Sequence, residues 1–321
     1  MIKKYPMKLS PAVKSTIWGG THLKEMYGKE APFDTLGETW ELTVRPDGMS
    51  VIANGKYAGM TLGDYLGKAG NSAIAEGYCG DRFPLLIKFL DANDKLSIQV
   101  HPDDEYSLAN EGELGKTEMW YVLAADEGAE IVYGLKDGVT VADFAKAVED
   151  GRMEEMMNFV KVKAGDVYFI PTGQVHALGK GIVVAEIQQN SNVTYRVYDY
   201  NRRQADGSLR QLHTAKAIDV IRLRTDDEIA EMSFSDATER DASLLAHCKY
   251  FKVNKYDVSG RLPITAGGDS FASVLCIGGS GKIKHGMKSY EIKPGDSYFI
   301  PAGAGKLTLS GDLSVIVSKL K

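Results

Sequence analysis

Short apolar runs, set off by Gly, Pro and Asp, recur along most of the chain. Residues 40–45, 96–100, 119–124, 130–133, 166–170 and 182–188 read as strands, and residues 313–317 supply the last one. Their alternation and turn punctuation predict an antiparallel barrel or sandwich. Helical spacing interrupts the pattern in three places. Residues 61–69 predict a helix with Leu62, Tyr65 and Leu66 on one face. Residues 141–148 and 153–160 predict two short helices split at Asp150-Gly151, a small insertion between strands that would otherwise be neighbours. The fold class expected is therefore mainly β with a small helical insertion around 140–160.

One internal repeat stands out. Lys163-Ala-Gly-Asp-Val-Tyr-Phe-Ile-Pro-Thr-Gly-Gln-Val-His176 matches Lys293-Pro-Gly-Asp-Ser-Tyr-Phe-Ile-Pro-Ala-Gly-Ala-Gly-Lys306. In both, Gly-Asp sets a turn, an apolar strand follows, and Pro-x-Gly makes the next turn. The repeat predicts two copies of one β-barrel unit. Its pattern resembles the second motif of the cupin superfamily, which implies two jelly-roll barrels. His176 aligns with Lys306, so the second copy lacks that ligand and is expected to be structural and metal-free. Its own histidine, His285, lies in the basic segment 282–288 with no partner pattern. The acidic stretch 226–242, with Asp226, Asp227, Glu228, Glu231 and Glu239, reads as an exposed connection. The expected division is a catalytic unit over residues 1–235 and a second, cupin-like unit over 236–321.

Composition narrows the partners. The chain has 321 residues, 25% of them charged and 44% hydrophobic, with a formal net charge of -5. That is an ordinary globular composition, and the acidic balance gives no general attraction to nucleic acid or anionic membranes. Any phosphate must be met by local basic groups. No apolar run is long enough to span a bilayer, and Met1-Ile2-Lys3-Lys4-Tyr5-Pro6 does not lead into a secretory signal. Cys79, Cys248 and Cys276 are scattered, as expected for free thiols in a reducing cytoplasm.

Three segments are candidates to share one metal ion: Gln99-Val100-His101-Pro102, Lys116-Thr117-Glu118, and Pro171-Thr172-Gly173-Gln174-Val175-His176. Alternation puts Gln99 and His101 on one strand face, and Asp103-Asp104-Glu105 after them can start a short helix. Two imidazoles and a carboxylate suit zinc or a similar divalent ion and leave an open position. Gln99 is the weaker fourth donor, since a neutral amide also serves as a hydrogen-bonding group. His22, His213, His247 and His285 lack such a context.

The run Phe83-Pro-Leu-Leu-Ile-Lys-Phe-Leu-Asp-Ala-Asn-Asp-Lys-Leu-Ser-Ile-Gln-Val-His-Pro102 resembles the signature of type I mannose-6-phosphate isomerases. Lys116-Thr-Glu-Met-Trp120, residues 186–196, Ile17-Trp-Gly-Gly20 and Gly37-Glu-Thr-Trp-Glu41 are similar to the same family, in the expected order. The length matches its short bacterial branch. The resemblance implies one zinc ion per chain at His101, Glu118 and His176, with Gln99 as a fourth ligand. It implies interconversion of mannose 6-phosphate and fructose 6-phosphate through a cis-enediol, and an essential Arg196. Longer members carry a Thr-Pro-Lys segment after that arginine. Here Arg196-Val-Tyr-Asp-Tyr-Asn-Arg202 stands instead, so the phosphate clamp is expected to be built differently.

On this reading Arg196 steadies the enediolate or the phosphate, and Lys116 is the second cation near the site. Glu186 is either the base or the orienter of one; the structural alternative is a buried pair with Arg196. Ser97 either donates to phosphate or is an outward strand hydroxyl. Arg202 and Arg203 are read as a solvated basic pair, with reach to the phosphate as the alternative. Trp18, Trp40, Trp120, Tyr121, Tyr195, Tyr198 and Tyr200 are mostly core, with one or two walling the sugar pocket. Two other classes fit less well. An iron oxygenase would want more histidines, and a pure sugar-binding protein would need no metal.

Overall fold

Alternation along three strands decides where the chemistry goes. In Leu85–Ala92, Leu85, Ile87 and Phe89 enter one buried cluster, while Leu90 and Ala92 enter another. Ile182–Gln189 divides the same way, with Val183, Ala185 and Ile187 against Ile182 and Val184. In Glu118–Ala125, Met119 takes the first face and Trp120 and Val122 the second. Lys88, Glu186 and Glu118 therefore continue the second face by the two-residue period.

The computed structural model describes residues 2–204, 206–238 and 241–321, and it is mainly β. The three strands lie side by side in a six-stranded antiparallel sheet, ordered Val167–Ile170, Glu118–Ala125, Ile182–Gln189, Leu85–Ala92, Glu38–Leu42, Ala12–Lys14. A five-stranded sheet faces it, ordered Met157–Lys161, Glu130–Leu135, His176–Leu178, Ile98–Val100, Tyr195–Tyr198. Trp120, Val122 and Val184 from one sheet meet Ile131 and Leu178 from the other between them. The outer face of the five-stranded sheet is covered by helices Val141–Glu149 and Thr214–Val220, through Phe144, Ala217 and Val220.

An eight-stranded sheet built mainly from residues 244–319 packs on the other side of the six-stranded one. The start of the chain completes it: Met7–Ser10 pairs with Ser297–Ile300, Met7 opposite Phe299. Lys29 and Glu41 tie the same layers together. Both are buried, with Lys29 Nζ 2.6 Å from Glu41 Oε1 and 2.5 Å from the Gly295 carbonyl. Glu41→Ala leaves that ammonium buried without its counter-ion. It is expected to destabilise the protein by about 3–5 kcal/mol in urea melts; an unchanged midpoint would show the pair to be dispensable.

Over its turn and first strand the sequence repeat is matched in local structure. The Lys163 amide donates to Asp166 (2.9 Å) and the Lys293 amide to Asp296 (3.1 Å), closing equivalent turns. Each turn feeds a strand, Val167–Ile170 or Ser297–Ile300. The residues after the strands part company: His176 opens a buried strand, whereas Lys306 is exposed. His285 Nε2 donates to the Ala304 carbonyl, 2.9 Å away.

The helix predicted at 61–69 spans Leu62–Ala69, capped by Thr61 with Leu62 and Tyr65 buried. Asp103 caps the short helix Asp104–Glu111. Two expectations are corrected. Residues 153–160 are not an α-helix: a 3-10 turn, Met153–Met156, gives way to strand Met157–Lys161. Glu130–Leu135 would otherwise be an open sheet edge, and pairing Val160 with Ile131 satisfies it, outweighing local propensity. The stretch after 226 is not all connection either. Asp226–Ser233 is a helix with a Thr225/Glu228 capping box and Ile229 buried. Glu239 lies outside the described residues. No helix among those described is long and apolar enough to cross a membrane.

Candidate metal centre and cavity

His101 follows strand Ile98–Val100, Glu118 begins its strand, and His176 begins another, so three strand ends converge. All three side chains are fully buried. One donor atom from each lies within 4.8 Å of the others. His176 Nε2 is 3.4 Å from Glu118 Oε1, and His101 Nε2 is 3.7 Å from Glu118 Oε2. Both rings spend Nδ1 on a carbonyl: His101 on Val193 (2.9 Å) and His176 on Gln174 (2.8 Å). That arrangement puts the proton on Nδ1 and leaves each Nε2 lone pair pointing inward.

Glu118 Oε1 and His176 Nε2 are buried without a hydrogen-bond partner among the described residues. Unpaired buried polar atoms are costly, and two of them facing each other beside a third donor are what a divalent cation would satisfy. The electrostatics agree. Burial, with Lys116 and His101's neighbour His176 adding to it, holds the His101 pKa well below its usual value. Burial holds His176 down to about 4. Both rings stay neutral and able to ligate. Burial, then the nearby Glu186, push the Glu118 carboxyl up to about 7 despite Lys116. The donor set fits zinc and similar ions alike.

These shifts carry a pH prediction for the metal-free protein. His176 has its folded pKa depressed to about 4 against 6.5 unfolded. Between those values the unfolded chain binds the extra proton, so stability is intact above about 6.5 and falls as pH drops toward 4. One such site contributes about 3 kcal/mol. Glu118 works in the opposite sense, its contribution lost as pH rises through its elevated pKa. Thermal melts from pH 7 to 4.5 should show a steeper decline for the wild type than for His176→Gln. Parallel curves would contradict neutral burial of that ring.

Lys116 sits over the donors, its Nζ 2.5 Å from Glu118 Oε2 and 3.2 Å from His101 Nε2. Above it opens a cavity of about 600 Å³. Its wall includes Gln99, Lys116, Trp120, Glu186 and Lys88 near the donors, and Ser97, Arg196 and Arg210 farther along. Gln99 pairs across the register with His176 and lines the cavity.

Glu186 does not pair with Arg196. It accepts from Trp120 Nε1 (2.9 Å) and lies 3.3 Å from Lys88 Nζ and 3.7 Å from Lys116 Nζ. Sheet register explains this, since Glu186 stands directly opposite Lys88 and Trp120 on the inter-sheet face. Burial alone would raise its pKa, but Lys116 and Lys88 outweigh burial and keep it low and ionised. Lys88 is held charged by Glu38 and Glu186 despite burial.

Arg196 Nε donates to Ser97 Oγ (3.3 Å) and Nη1 to the Gln211 carbonyl (2.9 Å). Ser97 is thus buried and turned to the cavity, not an outward hydroxyl. Arg202 is not solvated: it binds Asp199 and the Lys95 carbonyl, whereas Arg203 is exposed and its guanidinium donates to the Gly207 carbonyl. Arg210 shares Asp199 at 3.4 Å. Arg202 also lies 3.7 Å from Asp94; two guanidiniums thus share Asp199, while Arg196 makes no ion pair among the described residues. Burial, then Arg210 and Arg202, lower the Arg196 pKa to about 10 against the opposing pull of Asp199, so it stays charged at neutral pH. The bend that places Arg202 holds Tyr200 and Asn201 in left-handed conformations (φ 55° and 54°), a local backbone cost.

Sequence reasoning passed over Lys88 and Arg210. Lys88 had a signal, a lysine in a strand whose one other charged residue is Asp91. Arg210 had none, because only the fold brings it to Asp199. Of the aromatics, Trp18 and Trp120 wall the cavity, while Trp40 and Tyr195 are buried outside its wall.

Comparison with known proteins gives the geometry its context. Residues 7–144 match the phosphomannose isomerase type I catalytic domain, and residues 241–320 match the mannose-6-phosphate isomerase cupin domain. Mannose-6-phosphate isomerase ManA of Bacillus subtilis is 40% identical over 98% of this chain and 99% of its own. A Streptococcus mutans mannose-6-phosphate isomerase is 37% identical over 98% of both. The crystal structure of the mannose 6-phosphate isomerase from Bacillus subtilis superposes with a TM-score of 0.88 at 39% identity, covering 98% of this chain and 99% of that one. With identity at that level sustained from end to end, the chain belongs to the type I mannose-6-phosphate isomerase family.

Proposed function

We propose that the protein interconverts mannose 6-phosphate and fructose 6-phosphate through a cis-enediol, with one zinc ion held by His101, Glu118 and His176 and Gln99 as a further donor. The observation that carries this is the buried His-Glu-His group beneath Lys116, which lines a cavity whose wall also carries Arg196 and Arg210. When bound, the ion supplies Lewis-acid polarisation of the sugar's O1/O2 pair.

The chain's own residues do the rest. Arg196, Arg210 and Ser97 hold the phosphate, taking the place of the missing Thr-Pro-Lys lysine. Lys116, the cation nearest the donor atoms, steadies negative charge on the enediolate oxygens. Glu186, kept ionised between two lysines, is a weak base; its role is to fix Lys88 and Lys116 toward the cavity. Trp18 and Trp120 exclude water from one wall. In the forward direction the C2 proton leaves and a proton is delivered to C1, while the hydroxyl proton moves from O2 to O1.

We read the chain as two cupin-type barrels, a catalytic unit over 1–235 and a metal-free one over 236–321. The repeated Gly-Asp turn and strand support that reading. The free thiols of Cys79, Cys248 and Cys276 fit a cytoplasmic setting.

A coupled assay should detect conversion of mannose 6-phosphate, and a run in D2O should place deuterium at C1 of the fructose 6-phosphate formed. No conversion would refute the reaction. Conversion with hydrogen retained from C2 in every product molecule would refute a solvent-exchanging enediol.

A further inference from the structure

A second cleft, of about 900 Å³, opens on the far side of the segment that carries His176. It is lined by the 134–138 loop, Gln174, and residues 221–226 at the start of helix Asp226–Ser233. Gln174 is only 4% exposed, yet its side-chain amide has no hydrogen-bond partner among the described residues. Its Nε2 faces Gly134, where a Cβ would come within 2.9 Å of it. Gly134 has φ +84°, so that wall is kept free of a side chain.

The same cleft holds three cations without an ion-pair partner. Among the described residues, the Arg222 guanidinium donates to the Asp219 and Ile221 carbonyls and the Arg224 guanidinium to the Thr172 carbonyl, and neither makes an ion pair. Lys136 makes no ion pair among the described residues and lies on the rim. Of the cleft's acids, Glu228 is occupied by the Thr225 amide and hydroxyl (2.8 and 3.2 Å). Asp137 and Asp226 are exposed at the edge. Burial, then Arg222, lower the Arg224 pKa against the opposing pull of Glu228. Two forked donors, an ammonium and a free amide converge with the amino end of a helix, a combination suited to phosphate oxygens.

We propose that this cleft is a binding site for a small phosphorylated metabolite, separate from the cavity above the metal donors. Its wall is the metal centre's own support. The Gly173 amide donates to the His101 carbonyl (2.8 Å), and the Gly173 carbonyl accepts from the Arg222 amide (3.0 Å). An occupant gripping Arg222 and Arg224 therefore sits one residue layer from both imidazoles.

The test is calorimetric titration of the metal-loaded full chain with inorganic phosphate. Wild type should bind two phosphates, Arg222→Ser/Arg224→Ser one, and Arg196→Ala/Arg210→Ala the other. Lys136→Glu, at an exposed position, should weaken the second site at least about tenfold while leaving the thermal midpoint unchanged, which guards against a misfolded double variant. Phosphate binding abolished entirely in Arg196→Ala/Arg210→Ala, or untouched by both cleft variants, would overturn the proposal.

Discussion

His176→Ala will lose stoichiometric metal, and turnover will fall by more than about a hundredfold. The loss follows from geometry. His176 is one of only two imidazoles in the centre, its Nε2 already aimed at Glu118 Oε1 by the Gln174 carbonyl. Removing even an outer partner of a metal ligand costs 10–100-fold in metal affinity or activity, so removing the ligand itself must cost more. The ring is fully buried against Trp120 as well as His101, at ring-centroid distances of 5.5 and 4.8 Å. Alanine also leaves a void there. His176→Gln fills it without restoring a strong donor, and it should share the metal loss with a smaller change in stability. Metal content by atomic spectroscopy and the coupled assay check both; full metal content in either variant would remove His176 from the centre.

Arg196→Ala will leave metal content unchanged and cut kcat/KM for mannose 6-phosphate by roughly 10²–10³-fold. Arg196 lies in the cavity wall, bonded to Ser97 and the Gln211 carbonyl, and contacts none of the three donors. Its loss removes charge at the phosphate end only. Arg196→Lys should recover little, because an ammonium cannot reproduce the guanidinium fork. Arg210→Ala should act through KM more than kcat, since Arg210 is partly engaged by Asp199. A normal kcat/KM in Arg196→Ala would end its assigned role.

The metal group was legible in the sequence because each member sits at a recognisable turn-to-strand junction. The repeat around Gly165 and Gly295 was legible for the same reason: Gly-Asp turns are local chemistry. What escaped was set by tertiary pairing. Glu186 meets Lys88 because two strands register residue for residue, and nothing along the chain states that register. Residues 157–161 form a strand because Glu130–Leu135 offers them an edge. Conversely, the helix at Asp226–Ser233 was announced by Thr225-x-x-Glu228, a capping box hidden by the acidity of the stretch.

Metal titration of the stripped protein measures the central claim most directly. Chelated to dryness and dialysed, wild type should show no isomerisation of mannose 6-phosphate, then recover it linearly up to one zinc ion per chain and no further. Undiminished turnover in the stripped protein, or recovery equal in the His101→Ala variant, would mean that these three side chains do not hold the ion on which the reaction depends.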